Sequence, residues 1–549
     1  MSQSNRTDKA LASFAKREGS DQGFTRRSFL LQPALAAAAA AMGASSSQGR
    51  VPSQSPAEPA RRPNIIVFHS DQFRWYFVCA AGQNPMDFTP NLDAMYRRGT
   101  VFQNFITNQP LCAPSRSCLW TGQYATTTGV WKNGPALRTD AITLATVLTK
   151  AGYSANYIGK WHQAPAGAGP VPPAYRGTSV SKLEFGGRTV ELWGLGAVPP
   201  EYRGGFTGYW LAANLPEMST EPYNSQFWDN DGKPVHYGND VYRVDFLTGM
   251  AESFLRQKHD KPFLLVLSQL EPHQQNGPCG DEDVYGFVPP RGYAKKFRSP
   301  YVPPDLRFFP GDWPYELNNY YGDVKAIDES LGRIFKTLKE QNLEDNTIVI
   351  FTSDHGCHFR TRNQEYKRSP HESSVHVPLM IQGPGFNNRQ IIPELVSMID
   401  VTPSILDLLG LSLPPSMQGR SFIPLLHGEK AREEWPNEVF IQISESETAR
   451  ALRTPEWTYV ALAPEANPAR DSGSLHYRDY QLYNNRADPS QLVNMAGRLD
   501  TRWPSKTLLH YIGERSMPEV TAHLRKRLID RMVQAGEERP QIDYWQYYP

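Results

Sequence analysis

The chain has 549 residues, 40% hydrophobic and 21% charged, with 46 prolines and 41 glycines. That composition supports a large soluble core with many ordered loops and excludes fibrous and disordered classes. With Lys+Arg at 57 against Asp+Glu at 56, the formal charge is +1, so no global field recruits nucleic acid or an anionic membrane, and any anion site has to be local.

The segment TRRSFLLQPALAAAAAAMGASS places Arg26 and Arg27 ahead of Phe29 and Leu30, then a mildly apolar run that ends in small residues near Ala44. This resembles a bacterial twin-arginine signal, so residues 1–44 are expected to direct export through the Tat translocon to the periplasm or medium. The run from 29 to 42 is too short to span a bilayer and contains Gln32 and Pro33. Elsewhere we find no candidate span. Residues 45–61, rich in Ser and Pro, read as a flexible linker. Cys79, Cys112, Cys118, Cys279 and Cys357 show no framework spacing, so disulfides are not predictable.

From Pro63 onward, runs rich in Ile and Val alternate with helical patterns: NIIVFHS, TPNLDAMYRRG, VFQNFIT, AITLATVLTKAG and SANYIGKW. Such alternation predicts an α/β fold with a mostly parallel sheet covered on both faces. In YYGDVKAIDESLGRIFKTLKEQ, residues Val324, Ile327, Leu331, Ile334, Phe335 and Leu338 recur at helical spacing, and NTIVIFTS follows as a buried strand. Between about 164 and 245 the periodicity fails and Gly, Pro, Tyr and Trp dominate, which predicts long loops around a site mouth. Past 430, EVFIQIS, ALRTPEWTYVAL, HYRDYQLYN and a helix near HLRKRLIDRMVQAG predict a smaller α+β unit. The expected boundaries are 62–430 for a catalytic domain and 431–549 for a C-terminal subdomain.

Ligands gather at the carboxyl ends of parallel strands. NIIVFHS runs into Asp71 and Gln72, NTIVIFTS into Asp354 and His355, and FLLVLSQLEP into His273. Two matched pairs could converge on one cation: the oxygen donors favour Ca²⁺ or Mg²⁺, while His355 adds a nitrogen suited to Mn²⁺ or Zn²⁺. In LCAPSRSCLWTG, Cys112 and Arg116 lie four apart, on one face of a helical turn, with Pro114 suited to its first turn. A helix start with an arginine fork makes a cradle for sulfate or phosphate oxygens, with a sulfur inside it. Ser115 reads as structural.

Cys112-x-Pro114-Ser115-Arg116 with Leu119, Thr121 and Gly122 downstream resembles the signature of the type I sulfatases, in which this cysteine is oxidised to formylglycine. The resemblance extends in order over residues 62–500: RPNIIVFHSDQ, GKWH, LSQLEPH, TSDHG, KRSPHESSVHVPLMIQGPG and LYNNRADPSQLVNMA. It implies the alkaline-phosphatase-like sandwich, with a mostly parallel central sheet flanked by helices and a smaller C-terminal subdomain bearing a short antiparallel sheet. It further implies a divalent cation, most simply calcium, held by Asp71, Gln72, Asp354, His355 and the residue made from Cys112, and a formylglycine-generating enzyme as maturation partner. Lys160 and Lys367 would hold sulfate, Arg116 and His162 would support the formylglycine, and His273 would contact the leaving oxygen. The spacing of Lys160 and His162 puts both on one face of a strand.

The implied mechanism is covalent. One hydroxyl of the hydrated aldehyde attacks sulfur, His273 protonates the departing oxygen, and the second hydroxyl, with His162, lets sulfate leave. Export, together with Trp210, Tyr223, Trp228 and Tyr237 as stacking candidates, points to a sulfated carbohydrate, although core packing accounts for those rings equally well. His371 and His376 are candidates to line the pocket. Gln72 and His355 stand where many relatives carry Asp and Asn, which keeps open phosphonate monoester hydrolase, phosphodiesterase and choline-sulfatase readings. A non-catalytic anion-binding protein is the alternative outside enzymes.

Overall fold

In the computed structural model, residues 62–168, 181–185, 188–276, 285–496 and 517–544 are described, so the expected signal, the linker and Cys279 lie outside the described residues. The central sheet has ten strands: β1 Asn64–Ser70, β2 Thr100–Ile106, β3 Ser154–Lys160, β4 Trp210–Ala213, β5 Ser225–Trp228, β6 Pro234–Tyr237, β7 Phe263–Ser268, β8 Thr347–Ser353, β9 Leu379–Gln382 and β10 Gln390–Ser397. Their order is β10-β2-β9-β8-β1-β7-β3-β4-β5-β6. β1 pairs in parallel with β8 and β7, and β3 in parallel with β7 and β4, whereas β9 runs antiparallel between β8 and β2.

Alternation along β1 shows why both faces are covered. Ile66 and Phe68 join one core, with helices α1 Pro90–Arg98, α4 Arg243–Leu255 and α5 Trp313–Glu340. Ile65 and Val67 join the other, with α2 Cys112–Thr121, α3 Leu144–Lys150 and α6 Val401–Leu408. Successive side chains point to opposite faces, so a strand buried on both sides reads as a continuous apolar run. The helical repeat expected within α5 is present: Val324, Ile327, Leu331, Ile334 and Leu338 are buried and Phe335 packs at the edge of that core.

Two expectations need correction. The stretch from 164 to 245 carries strands as well as loops: β4, β5 and β6 extend the main sheet, and Gly167–Ala168, Arg188–Trp193 and Ser181–Phe185 form a separate three-stranded antiparallel sheet. The strands are short, four residues each in β4 to β6, too short for an alternating pattern to emerge. Trp210, Trp228 and Tyr237 are buried core residues and Tyr223 packs against that core, so none of the four is an open sugar platform.

A second sheet follows in the order β11-β12-β13-β14-β15: Val439–Ile443, Ala449–Arg453, Trp457–Leu462, His476–Asn484 and Gln541–Asp543. Its first four strands are antiparallel and β15 joins β14 in parallel. Helix α7, Met517–Gln534, buries Val520, Leu524, Leu528 and Met532 against Phe440, Leu452, Tyr459 and Leu482. No described helix is long and apolar enough to cross a membrane.

Candidate active site

β1, β7 and β8 lie side by side, and the polar residues that follow them converge beyond their carboxyl ends. Cys112 is the first residue of α2, a ten-residue helix in which every side chain is buried. The motif around it has local work to do. Leu119 enters the core, Thr121 Oγ1 donates to the Ser117 carbonyl at 2.7 Å, and Gly122, at φ +65°, ends the helix in the left-handed conformation that a glycine adopts without strain. Ser115 Oγ donates to the Asp354 carbonyl at 2.7 Å, tying α2 to the end of β8.

Arg116, one turn beyond Cys112, is fully buried and uses its whole fork. Nη2 donates to Asp71 Oδ2 at 3.0 Å, Nε to Asp354 Oδ2 at 3.2 Å, and Nη1 to the Lys160 carbonyl and to Ser268 Oγ at 2.9 and 2.8 Å. The other carboxylate oxygens face inward. His355 Nε2 lies 3.2 Å from Cys112 Sγ, 3.5 Å from Asp71 Oδ1 and 3.7 Å from Asp354 Oδ1, and Sγ is 3.8 Å from Asp71 Oδ1. Asp71, Cys112, Asp354 and His355 thus each offer a donor atom within 4.8 Å of the others. Two hard oxygens, one nitrogen and one soft atom fit a divalent cation. Gln72, in the left-handed region at φ +67°, donates its amide to Gln274 Oε1 at 2.8 Å and accepts from Lys367 Nζ at 3.4 Å.

On the opposite wall Lys367 Nζ donates to Cys112 Sγ at 3.1 Å and to His273 Nε2 at 2.6 Å. His273 Nδ1 donates to the Gln274 carbonyl at 2.6 Å, which leaves Nε2 as the acceptor. Lys160 is buried between Asp71 Oδ2 at 2.8 Å and Glu217 Oε1 at 2.9 Å. Gly159 permits this approach: a Cβ there would meet the Ser268 carbonyl oxygen at 1.9 Å. His162 lies past the end of β3 in the left-handed conformation, φ +55°, so it shares the site through a turn and not through strand alternation as expected. Its Nδ1 is 3.9 Å from Glu217 Oε1.

The charges act on one another strongly. Burial would push the Cys112 thiol up, but Lys160 and Lys367, then His355 and His162, hold it well below its ordinary value. Burial and Cys112 oppose ionisation of Asp71, yet Lys160, His273 and Arg116 keep it well below the usual carboxylate range. Asp354 is pushed up to about 7, first by burial and then by Asp71. Burial, then Lys367, lowers His273 and favours its neutral form.

The ring opens into a cavity of about 410 Å³ lined by Cys112, Glu217, His273 and Lys367 in its depth and by Tyr315 and Arg360 at its mouth. A turn of the second sheet braces the rim: Glu445 accepts from the Asn133 amide at 2.6 Å and pairs with Arg368 at 2.7 Å, while Asn133 accepts from the amide of Ala113 at 3.2 Å.

The ten expected site residues therefore converge on position 112, and of them Cys112, His273 and Lys367 line the cavity itself. Two further candidates do not. His371 is buried against Ser369 and Tyr483, and His376 stacks on Trp75 at 5.3 Å and pairs with Glu372 at 3.0 Å, because the turn after Lys367 carries them away from Cys112. Glu217 is the residue that sequence reasoning missed. It follows β4, neighbour of β3, so the strand-end rule would have found it had WLAAN been read as a strand.

The family model described as Sulfatase matches residues 63–411, and that of the N-sulphoglucosamine sulphohydrolase C-terminal region matches 364–515. The chain is 27% identical to arylsulfatase K of Mus musculus over 467 residues, covering 79% of this chain and 76% of the relative. It is 29% identical to an endo-4-O-sulfatase of Bacteroides thetaiotaomicron over 515 residues, covering 82% and 95%. A solved Bacteroides thetaiotaomicron structure, described in the context of glycosaminoglycan metabolism, superposes with a TM-score of 0.69 at 25% identity over 87% of this chain and 97% of its own.

Proposed function

The chain belongs to the sulfatase family of the alkaline phosphatase superfamily and is a sulfuric ester hydrolase; we propose that it acts on a sulfated glycan, through a formylglycine made from Cys112 and with calcium as its cation. The observation that carries this reading is the environment of Cys112. Its sulfur sits at a helix start, 3.1 Å from Lys367 and 3.2 Å from His355, within a ring containing every residue type the reaction requires.

The aldehyde at position 112 would supply, as its hydrate, a nucleophilic hydroxyl and a second hydroxyl through which the sulfuryl group is later released. Asp71, Gln72, Asp354 and His355 would hold the cation, which supplies Lewis-acid stabilisation of the nucleophile and of the sulfuryl oxygens. The remaining work belongs to the chain. Arg116 fixes Asp71 and Asp354 and stands behind position 112. Lys160 and Lys367 bring positive charge to the sulfuryl oxygens, where charge develops in the transition state. His273 holds its proton on Nδ1 and accepts a hydrogen bond at Nε2 from Lys367, so the Lys367 ammonium is the proton source from which this pair would supply the departing oxygen. His162, beside Cys112 and Glu217, takes the proton from the second hydroxyl.

Glycan-active relatives support the substrate class: one is an endo-4-O-sulfatase and one solved neighbour belongs to glycosaminoglycan metabolism. Export by the twin-arginine route to the periplasm or medium, maturation by a formylglycine-generating enzyme, and the division into 62–430 and 431–549 complete the proposal. The phosphonate monoester, phosphodiester and choline-sulfate alternatives are tested by the same assays.

The test is the mass of the proteolytic peptide containing Cys112, from protein made in a host that matures sulfatases, followed by turnover of an aryl sulfate, an aryl phosphonate monoester and sulfated oligosaccharides. An aldehyde or hydrate mass with preferred sulfate turnover is expected. An unmodified thiol, with a control sulfatase matured in the same host, refutes the formylglycine reading; a phosphonate preference refutes the proposed substrate.

A further inference from the structure

Glu217 is not needed to hold sulfate, and its charge opposes an anion, yet it occupies the depth of the cavity. It is 3% exposed and lines the same wall as His273 and Cys112, with a carboxylate oxygen within 4.8 Å of both the Cys112 sulfur and a His273 ring nitrogen. Oε1 accepts from Lys160 at 2.9 Å, while Oε2 has no hydrogen-bond partner among the described residues. The single ammonium of Lys160 is shared between two carboxylates, Asp71 at 2.8 Å and Glu217 at 2.9 Å, and Asp71 also pairs with Arg116 at 3.0 Å, so Glu217 holds a share of the Lys160 charge and none of the Arg116 charge. Although burial disfavours ionisation, Lys160 and then His162 and His273 keep the Glu217 carboxyl below its ordinary range.

The buried ring pairs the cations of Arg116, Lys160 and Lys367 with the carboxylates of Asp71, Asp354 and Glu217. Counted as ionised, these three carboxylates equal the three cations in number before any metal binds. A divalent cation then leaves a positive excess sufficient for one monoanionic ester and one ionised group at position 112. A dianionic ligand in the same place overshoots, and Glu217, within 4.8 Å of the Cys112 sulfur, is the one of the three acids that lies outside both the Arg116 fork and the cluster of Asp71, Cys112, Asp354 and His355.

We propose that Glu217 is a charge filter that sets the cavity for singly charged esters, admitting sulfate monoesters and repelling dianions such as phosphate monoesters. The proposal rests on the sulfatase reading of the site. It carries a second consequence for turnover. Hydrolysis converts a monoanionic ester into dianionic inorganic sulfate, so the same carboxylate that tolerates the substrate repels the product. An extra unit charge about 6 Å from a carboxylate, in surroundings of effective dielectric about 20, shifts binding by roughly 100-fold.

The experiment uses the full-length, calcium-loaded protein carrying unmodified Cys112, titrated calorimetrically at mildly alkaline pH with methyl sulfate, a monoanion, and methyl phosphate, a dianion. Glu217→Gln is expected to tighten methyl phosphate relative to methyl sulfate by roughly 100-fold, and Glu217→Asp, which keeps the charge, to retain the wild-type ratio. In matured enzyme, Glu217→Gln should become more sensitive to inhibition by inorganic sulfate. A ratio that is unchanged in Glu217→Gln, with both ligands weakened together, overturns the filter and leaves Glu217 as a support for Lys160. The binding ratio needs no turnover, so it stands apart from the sulfatase reading, which fails separately if matured wild-type protein does not cleave an aryl sulfate.

Discussion

Replacing Glu372 by glutamine tests how the segment bearing Lys367 is fastened to the second sheet. Glu372 Oε1 accepts from Arg453 Nε of β12 at 2.6 Å, Oε2 meets His376 Nδ1 at 3.0 Å, and the side chain is 18% exposed. Burial works against its charge, but Arg453 prevails, aided by His376, and lowers the carboxyl from 4.5 to about 2. At about 1.4 kcal/mol for each pH unit, that shift stabilises the folded protein by at most about 3 kcal/mol. The sign is fixed by the direction of the shift. A carboxylate with a depressed folded-state value contributes fully above its unfolded value of 4.5 and loses the contribution as pH falls toward 2. Urea unfolding followed by tryptophan fluorescence should therefore show Glu372→Gln less stable than wild type by up to about 3 kcal/mol at neutral pH, with the two curves converging as the pH approaches 2. A gap of the same size across that range would refute the electrostatic account and assign the loss to packing.

Asp354→Asn removes one of the inward-facing oxygens that the candidate cation shares with Asp71 and His355; a calorimetric calcium titration should show affinity reduced by roughly 10- to 100-fold, and an unchanged affinity would place the ion elsewhere. Lys367→Ala takes away the ammonium that touches both position 112 and His273. Its kcat/KM on an aryl sulfate should fall by about 100- to 1000-fold, with a larger loss for poor leaving groups, and equal losses across leaving groups would separate Lys367 from proton delivery.

Most of the candidate ring was legible because its members sit where strand physics puts them. Asp71 and Asp354 directly follow long apolar strands and His273 comes five residues after the end of a third, whereas Cys112 and Arg116 stand out through the likeness of CAPSR to the sulfatase signature, to which their spacing on one helical face adds. His162 was found for an imperfect reason: the strand ends at Lys160, and a left-handed residue, which periodicity cannot register, turns the ring back toward the site. Glu217 was hidden because β4 has only four residues and is followed at once by a short helical turn. His371 and His376 drew attention by their nearness to Lys367 in sequence, and the fold faces them toward Tyr483 and Trp75. The aromatic residues between 210 and 237 illustrate a further limit, since large rings serve core and sugar equally well until burial is known.

The brace that Glu445 lays across the cavity rim bears on how this chain is made. Glu445 projects from the turn between β11 and β12, whose strand β12 is pinned by Arg450 to Glu537 at 2.8 Å. A ribosome delivers Cys112 long before Glu445 and longer still before Glu537, so α2 waits with an unbraced entrance while the second sheet is being synthesised. Closure of that entrance follows the translation of a distant segment, and on the formylglycine reading proposed above the interval sets how long the cysteine stays within reach of its maturation enzyme.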